Sequence, residues 1–322
     1  MAATQVPFQS VVDALLDSKP FPAAYLQFFS DMDPRSLKLL MEAWPQVDAN
    51  RKYSLLKDLE ALAEENTLVS FEELGRSLLN DADPIVRAGA IRLLNETDDP
   101  KLVPVYIDMM NSDENEDVRA EAAGALGEYV ILGELEELAP KFLQASEAAL
   151  LQKANGEDKS SVRRRALESL GFSSRPEVIT LIESAIKRQD PEWKASALVA
   201  MGRSNDDRWQ DLVIQMLLHE DPVVRLAAVD AAGDLALAPA RLILIGLLDE
   251  EEDDDIISSA IWSLSQIGGE DARVLLESLA SEAEDEELLA FLEDALENLA
   301  FTEDMERFDL LSFDPEDENP EE

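Results

Sequence analysis

Apolar residues recur along this chain at helical spacing. The stretch Asp221–Gly233, DPVVRLAAVDAAG, shows the pattern most fully. Asp221 is suited to cap a helix and Pro222 to open its first turn. Val224, Ala228 and Val229 then make an apolar stripe, with Arg225 among them, and Gly233 is placed to end the helix.

Aligned on Arg225, the phrase returns at Arg87, Arg119, Arg163, Lys194, Ser258 and Ala290, with spacings of 32, 44, 31, 31, 33 and 32 residues. A period near 32 fits a unit of two helices and two short turns, stacked as a solenoid. The one long interval holds an insertion near 146–158 that lengthens a helix or its loop. One residue before the anchor stands Val86, Val118, Val162, Trp193, Val224 or Ile257; three after it stands Ala90, Ala122, Ala166, Ala197 or Ala228. Seven after comes Leu94, Leu126, Leu170 or Met201, so these offsets share one helical face. Asp83, Asp190, Asp221 and Asp254 are suited to N-capping, and Gly127, Gly171, Gly202 and Gly233 to a left-handed helix end. The helix before each of these carries looser i, i+3, i+4 spacing, as in EVITLIESAI and WQDLVIQMLL. No alternating strand pattern occurs, which predicts an all-α chain.

The phrase D-P-x-V-R-x-x-A (Asp83–Ala90 and Asp221–Ala228) and the run VRAEAAGALG (118–127) resemble the HEAT repeat, in particular its short bacterial type labelled after phycobilisome lyases. The resemblance implies a right-handed α-α superhelix, a HEAT-repeat solenoid, with the second helices lining a concave face. It covers about 70–300, or about seven helix pairs. The last two units depart from it, since Ser258 and Ala290 replace the basic anchor. Residues 1–69 do not match and read as an N-terminal helical cap, punctuated by Pro7, Pro20, Pro22, Pro34 and Pro45. Residues 301–322 read as an acidic tail, disordered over FDPEDENPEE (313–322).

Charge changes this picture. The chain has 27 Lys+Arg against 70 Asp+Glu, a formal net charge of −43. That opposes nucleic acid and anionic membrane surfaces and favours solubility, monomers and a partner with a basic surface. Residues 159–241 are balanced at 12 acids and 12 bases, whereas residues 242–322 carry 28 acids and 2 bases. The absence of cysteine fits a reducing compartment. The start lacks the basic segment and apolar run of a signal peptide, and no window reaches the roughly 18 apolar residues of a membrane span. A cytoplasmic protein is expected.

Candidate chemistry is sparse. His219 is the single histidine. HEAT-type hydroxylases hold two irons with several His-Glu dyads, and His219-Glu220 supplies one, so that site lacks its imidazole ligands. The carboxylate run DEEEDDD (249–255) has no glycine to bend it around a cation and reads as a solvated loop. No nucleophile elbow or phosphate-binding glycine loop is present. Trp193, Trp209 and Arg163–Arg165 superficially suit a DNA-glycosylase-type groove, but Trp193 falls at a core offset and the net charge opposes DNA. A phycobilin-lyase-like activity is what the repeat's label implies, although no bilin-specific constellation accompanies it. No cofactor and no metal is expected.

The balanced centre holds the candidate site. The turns GFSSRPEV (171–178) and GRSNDDRW (202–209) should be neighbours in the stack and bring Arg175, Arg208 and Trp209. Offsets +2, +5 and +9 from the anchors fall away from the apolar stripe. They place Arg165, Glu168 and Phe172, then Val199 and Arg203, then Asp230 and Asp234 on the concave face. Two roles are open to these arginines: salt bridges and carbonyl caps between repeats, or contacts to a protein partner. The expectation is a non-catalytic protein-binding scaffold, with the lyase-like enzyme as the alternative.

Overall fold

In the computed structural model, the described residues are 6–95 and 97–312, the side chains of 306–312 excepted. Among them every regular element is helical. The FDPEDENPEE segment read as disordered lies outside the described residues. The chain forms two compact units, Met1–Ser169 and Leu170–Glu322.

In the first unit, α1 (Phe8–Leu16), α2 (Pro34–Ala43) and α3 (Ala49–Glu65) precede the repeats. Val11, Val12 and Leu15 of α1 are buried, and Phe8 meets Phe29 edge-on at 6.1 Å. Trp44 donates its indole N–H to Asp81 at 2.8 Å, and Leu55, Leu56 and Leu59 of α3 are buried where α3 packs on α5. First and second helices then alternate: α4 (Glu72–Leu78), α5 (Pro84–Arg92), α6 (Leu102–Ser112), α7 (Glu116–Glu134), α8 (Pro140–Asn155) and α9 (Ser160–Leu170). Most of the 146–158 insertion lies in α8.

In the second unit the alternation runs through α10 (Pro176–Ile186), α11 (Pro191–Arg203), α12 (Gln210–Met216), α13 (Pro222–Asp234), α14 (Arg241–Glu250), α15 (Asp254–Ile267), α16 (Glu270–Glu282) and α17 (Glu286–Ser312). Second helices pack on second helices: α5 on α7, then α11 on α13, α13 on α15 and α15 on α17. Helix α17 continues through residues 301–312, past the point where the sequence places the start of the acidic tail.

The repeat phrase builds this stack as its offsets require. Val86, Val118, Val162, Trp193 and Val224 are at most 5% exposed, and the alanines at +3 are fully buried. Asp83, Asp190 and Asp221 accept backbone N–H groups as N-caps. Arg87 forks onto Asp113 at 2.7 Å and donates to the Asp81 carbonyl. Arg119 treats Asp158 and the Asp113 carbonyl likewise, and Arg225 treats Glu251 and the His219 carbonyl. Each arginine thus ties the turn before its own helix to an acid in the turn after the next first helix. Arg163 donates to the Ala154 carbonyl at 3.1 Å.

Two expectations are corrected. The glycines at +8 are not left-handed helix ends. Gly127, Gly202 and Gly233 lie inside helices, and positive φ among glycines occurs at Gly268 and Gly269. They mark close approach instead. A Cβ on Gly171 would stand 2.8 Å from the Ala200 Cα, and one on Gly233 2.9 Å from the Ser263 Cα. The left-handed turns fall after them, at Asn205 (φ 46) and Ala236 (φ 47).

The register of the last two second helices also differs from expectation. The cap of α15 is Asp253 rather than Asp254, and Ile256 rather than Ile257 is the buried residue three after it. In α17, Asp285 accepts the Glu287 and Leu288 amides. The positions equivalent to Arg225 are therefore Ile257 and Leu289, one residue before Ser258 and Ala290. Without an arginine to align on, the consecutive acids at 253–255 and 284–287 leave the register open by one residue.

Candidate partner-binding surface

In the second unit the outward positions of successive second helices form two rows. At +5 from each anchor stand Val199 on α11, Asp230 on α13, Trp262 on α15 and Asp294 on α17; at +9 stand Arg203, Asp234, Gln266 and Asn298. Arg203, Asp234 and Gln266 interact in sequence along the second row, and residues beside the rows engage Asp230, Trp262 and Asn298. The Arg203 guanidinium lies 5.0 Å above the Phe172 ring and faces Asp234. Gln266 hydrogen-bonds Asp234, and Ser259 donates to Asp230. Trp262 stacks on Phe291 with centroids 6.5 Å apart and planes 27° from parallel, and remains 39% exposed. Asn298 donates to Ser265 at 2.9 Å.

Two of the carboxylates in these rows, Asp230 and Asp234, are held in unfavourable surroundings. Both reach solvent, yet α11, α13 and α15 crowd them. Loss of hydration raises the Asp230 carboxyl above its ordinary value, against the Ser259 hydrogen bond. For Asp234, lost hydration and then the Asp230 charge raise it, and Arg203 and Gln266 only partly oppose this. The aromatic pair therefore stands beside two carboxylates that gain from added positive charge.

The remaining candidates lie elsewhere. Arg165 and Glu168 belong to the first unit, where they pair at 3.3 Å and Arg165 covers Gly124. The two central turns are neighbours, as expected, and line a separate groove of about 480 Å³. There Arg175 pairs with Glu177 and Arg208 with Asp206, each at 2.6 Å. Trp209 is 5% exposed and is a core residue, offering no contact surface. Trp262, Phe291, Ser259 and Gln266 carry little sequence signal, because α15 and α17 lack the basic anchor from which the outward offsets are counted. Counted from Ser258 those offsets would have landed on Ser263 and Ile267, which are buried.

His219 is a structural residue. Its Nδ1 accepts the Asp221 amide at 3.0 Å, and its Nε2 lies 3.2 Å from Lys194 Nζ. The DEEEDDD run is divided between the end of α14, a turn and the start of α15, with Glu251 engaged by Arg225. Among the described residues no three His, Asp or Glu side chains converge to hold a metal, and no helix is long and apolar enough to cross a membrane.

The profile of HEAT repeats matches residues 72–147, 180–265 and 210–297. This chain belongs to the HEAT-repeat family. No curated protein matches it. Among solved structures, an engineered protein is 18% identical over 91% of this chain and 88% of its own, with a TM-score of 0.38. Human deoxyhypusine hydroxylase is 17% identical over 81% and 95%, with a TM-score of 0.35. Kap121p bound to Nup53p is 15% identical over 92% of this chain, which spans 38% of the Kap121p chain, with a TM-score of 0.46. At these identities the HEAT-repeat likeness concerns the fold alone.

Proposed function

We propose that this HEAT-repeat chain is a non-catalytic scaffold that binds a protein partner through the outward rows of α11, α13, α15 and α17. The observation that carries this reading is the exposed Trp262–Phe291 stack beside Asp230 and Asp234. Neither the core nor the arginine ladder requires these side chains, and an aromatic anchor bordered by charged side chains matches the anchor and polar rim of a protein interface. The engagement of the lone histidine in the α13 cap supports a non-catalytic role. In this reading residues 1–69 cap the first repeat, residues 70–300 present the surface, and the protein works as a cytoplasmic monomer.

The test is quantitative affinity capture from native extract with the full chain and with Trp262→Ala and Asp230→Arg. A partner enriched by the wild type and lost with both variants, at unchanged circular dichroism, is expected. Equal enrichment by all three removes this face from the function.

A further inference from the structure

Gly246 is unlike the other helical glycines of this protein. Elsewhere a Cβ added to a glycine inside a helix would stand 3.2 Å or less from a neighbouring helix or side chain, so close packing explains the residue. Gly246 lies in the interior of α14, is exposed, and an added Cβ would meet nothing within 4 Å. A glycine there costs the helix about 1 kcal/mol relative to alanine, and the fold gains no contact in return. The space above it opens outward.

That space is the floor of a groove of about 560 Å³. One wall is Leu218, which follows α12; the other is Leu242, Ile243 and Leu247 of α14. Leu218 and Leu242 are 71% and 70% exposed, so two large aliphatic side chains flank the gap left by Gly246. The rim is acidic. Glu220 and Glu250 stand on it exposed, and the exposed acids Asp249, Glu252 and Asp253 continue beyond. Arg225 also reaches the rim, but its guanidinium is held by Glu251 at 2.9 Å and by the His219 carbonyl at 3.0 Å.

These features select an occupant by charge. A second copy of this chain, at −43 overall, would bring acid to acid, and so would a nucleic acid or an anionic lipid surface. The complementary ligand is a basic polypeptide with an apolar side chain to fill the gap. We propose that the groove between Leu218 and the 242–247 stretch of α14 docks a Lys/Arg-rich protein segment. One Leu- or Phe-sized side chain of that segment lies on Gly246, and its flanking cations meet Glu220 and Glu250. This deepens the scaffold reading with a second surface, on first helices rather than second ones, so each surface can fail without the other.

The probe is a set of synthetic peptides of about 12 residues, with a central Leu or Phe flanked by Lys and Arg, titrated by fluorescence anisotropy into the full chain. Controls carry a central Ala or flanking Glu. Gly246→Phe should weaken the Phe-centred peptide at least about tenfold, which is ~1.4 kcal/mol. It fills only open space, so the fold should be retained and helicity unchanged. Glu220→Lys with Glu250→Lys should weaken binding and flatten its salt dependence. Thr67→Arg, at an exposed position that lines neither surface, should leave it unchanged. The cysteine-free chain allows a direct check: with Gly246→Cys, the basic peptide should slow alkylation, and with Thr67→Cys it should not. The proposal is overturned if no such peptide binds up to about 1 mM, if Gly246→Phe binds as the wild type does, or if the Ala-centred peptide binds equally well. Failure here together with capture lost on Trp262→Ala would leave the outward-row reading standing.

Discussion

Alanine at Gly233 and alanine at Gly246 should shift stability in opposite directions, although both glycines lie within helices. At Gly233 the new methyl would stand 2.9 Å from the Ser263 Cα and 2.7 Å from its Oγ. A Cα cannot rotate away, so α13 and α15 must separate by about 0.5 Å to restore an ordinary contact. Ser263 is 1% exposed and donates to the Val229 carbonyl at 2.9 Å, so separation also strains a buried hydrogen bond. Overpacking of this kind costs about 1–3 kcal/mol and a weakened buried bond about 1 kcal/mol, against about 1 kcal/mol gained in helix propensity. The net is a loss of about 1–3 kcal/mol. At Gly246 only the propensity gain remains, so Gly246→Ala should stabilise by up to about 1 kcal/mol. Urea unfolding followed by far-ultraviolet circular dichroism measures both, and in a repeat array the change should appear in the transition that contains α13 to α15. A Gly233→Ala variant as stable as the wild type would refute the close-approach account of the repeat glycines.

The ladder makes a second prediction. Arg119 and Asp158 are each about 15% exposed and bonded twice, so Arg119→Ala should cost about 2–4 kcal/mol and Arg119→Lys should recover only part of it. Arg119 holds the Asp158 carboxyl well below its ordinary value. Burial pushes up Asp113 and Glu251, but Arg87 and Arg225, with backbone amides, outweigh it and lower both. That stability is present above the ordinary carboxylate range and lost as pH falls through it toward the depressed native values; in Arg119→Ala this acid-induced loss should be smaller. Asp234 has the opposite sign. Its carboxyl is raised, so the ionised form destabilises the fold at neutral pH, and Asp234→Asn should raise the denaturation midpoint there. The gain should vanish once pH falls below the ordinary carboxylate range. A lower midpoint at neutral pH would mean that the attraction to Arg203 outweighs the lost hydration.

The features legible in the sequence are those a single helix specifies locally. Asp221 caps its own helix through an amide two residues on, and Val224 and Ala228 share a face because of helical geometry alone. The period, the all-α class and the repeat family followed from copies of one phrase. The arginine ladder was half legible. The anchors could be counted, but the acid that meets each one lies 26 residues on for Arg87 and Arg225 and 39 for Arg119, across the insertion. Where the arginine disappears, in α15 and α17, the register slipped by one and took Trp262 with it.

What only the tertiary structure decided is the meaning of residues whose environment comes from a neighbouring helix. A glycine eight residues past the repeat anchor reads as a stop when the next helix is unseen. With α15 against it, Gly233 is a contact point, and with nothing against it, Gly246 is a gap. Trp209, Arg208 and Arg175 share two adjacent turns in sequence, yet packing buries the tryptophan and leaves the arginines on local acids. Helical periodicity acts through the backbone within four residues, so sequence alone carries it. Close approach, burial and charge pairing act through space across some 30 residues of chain, and each needs the neighbouring repeat in place.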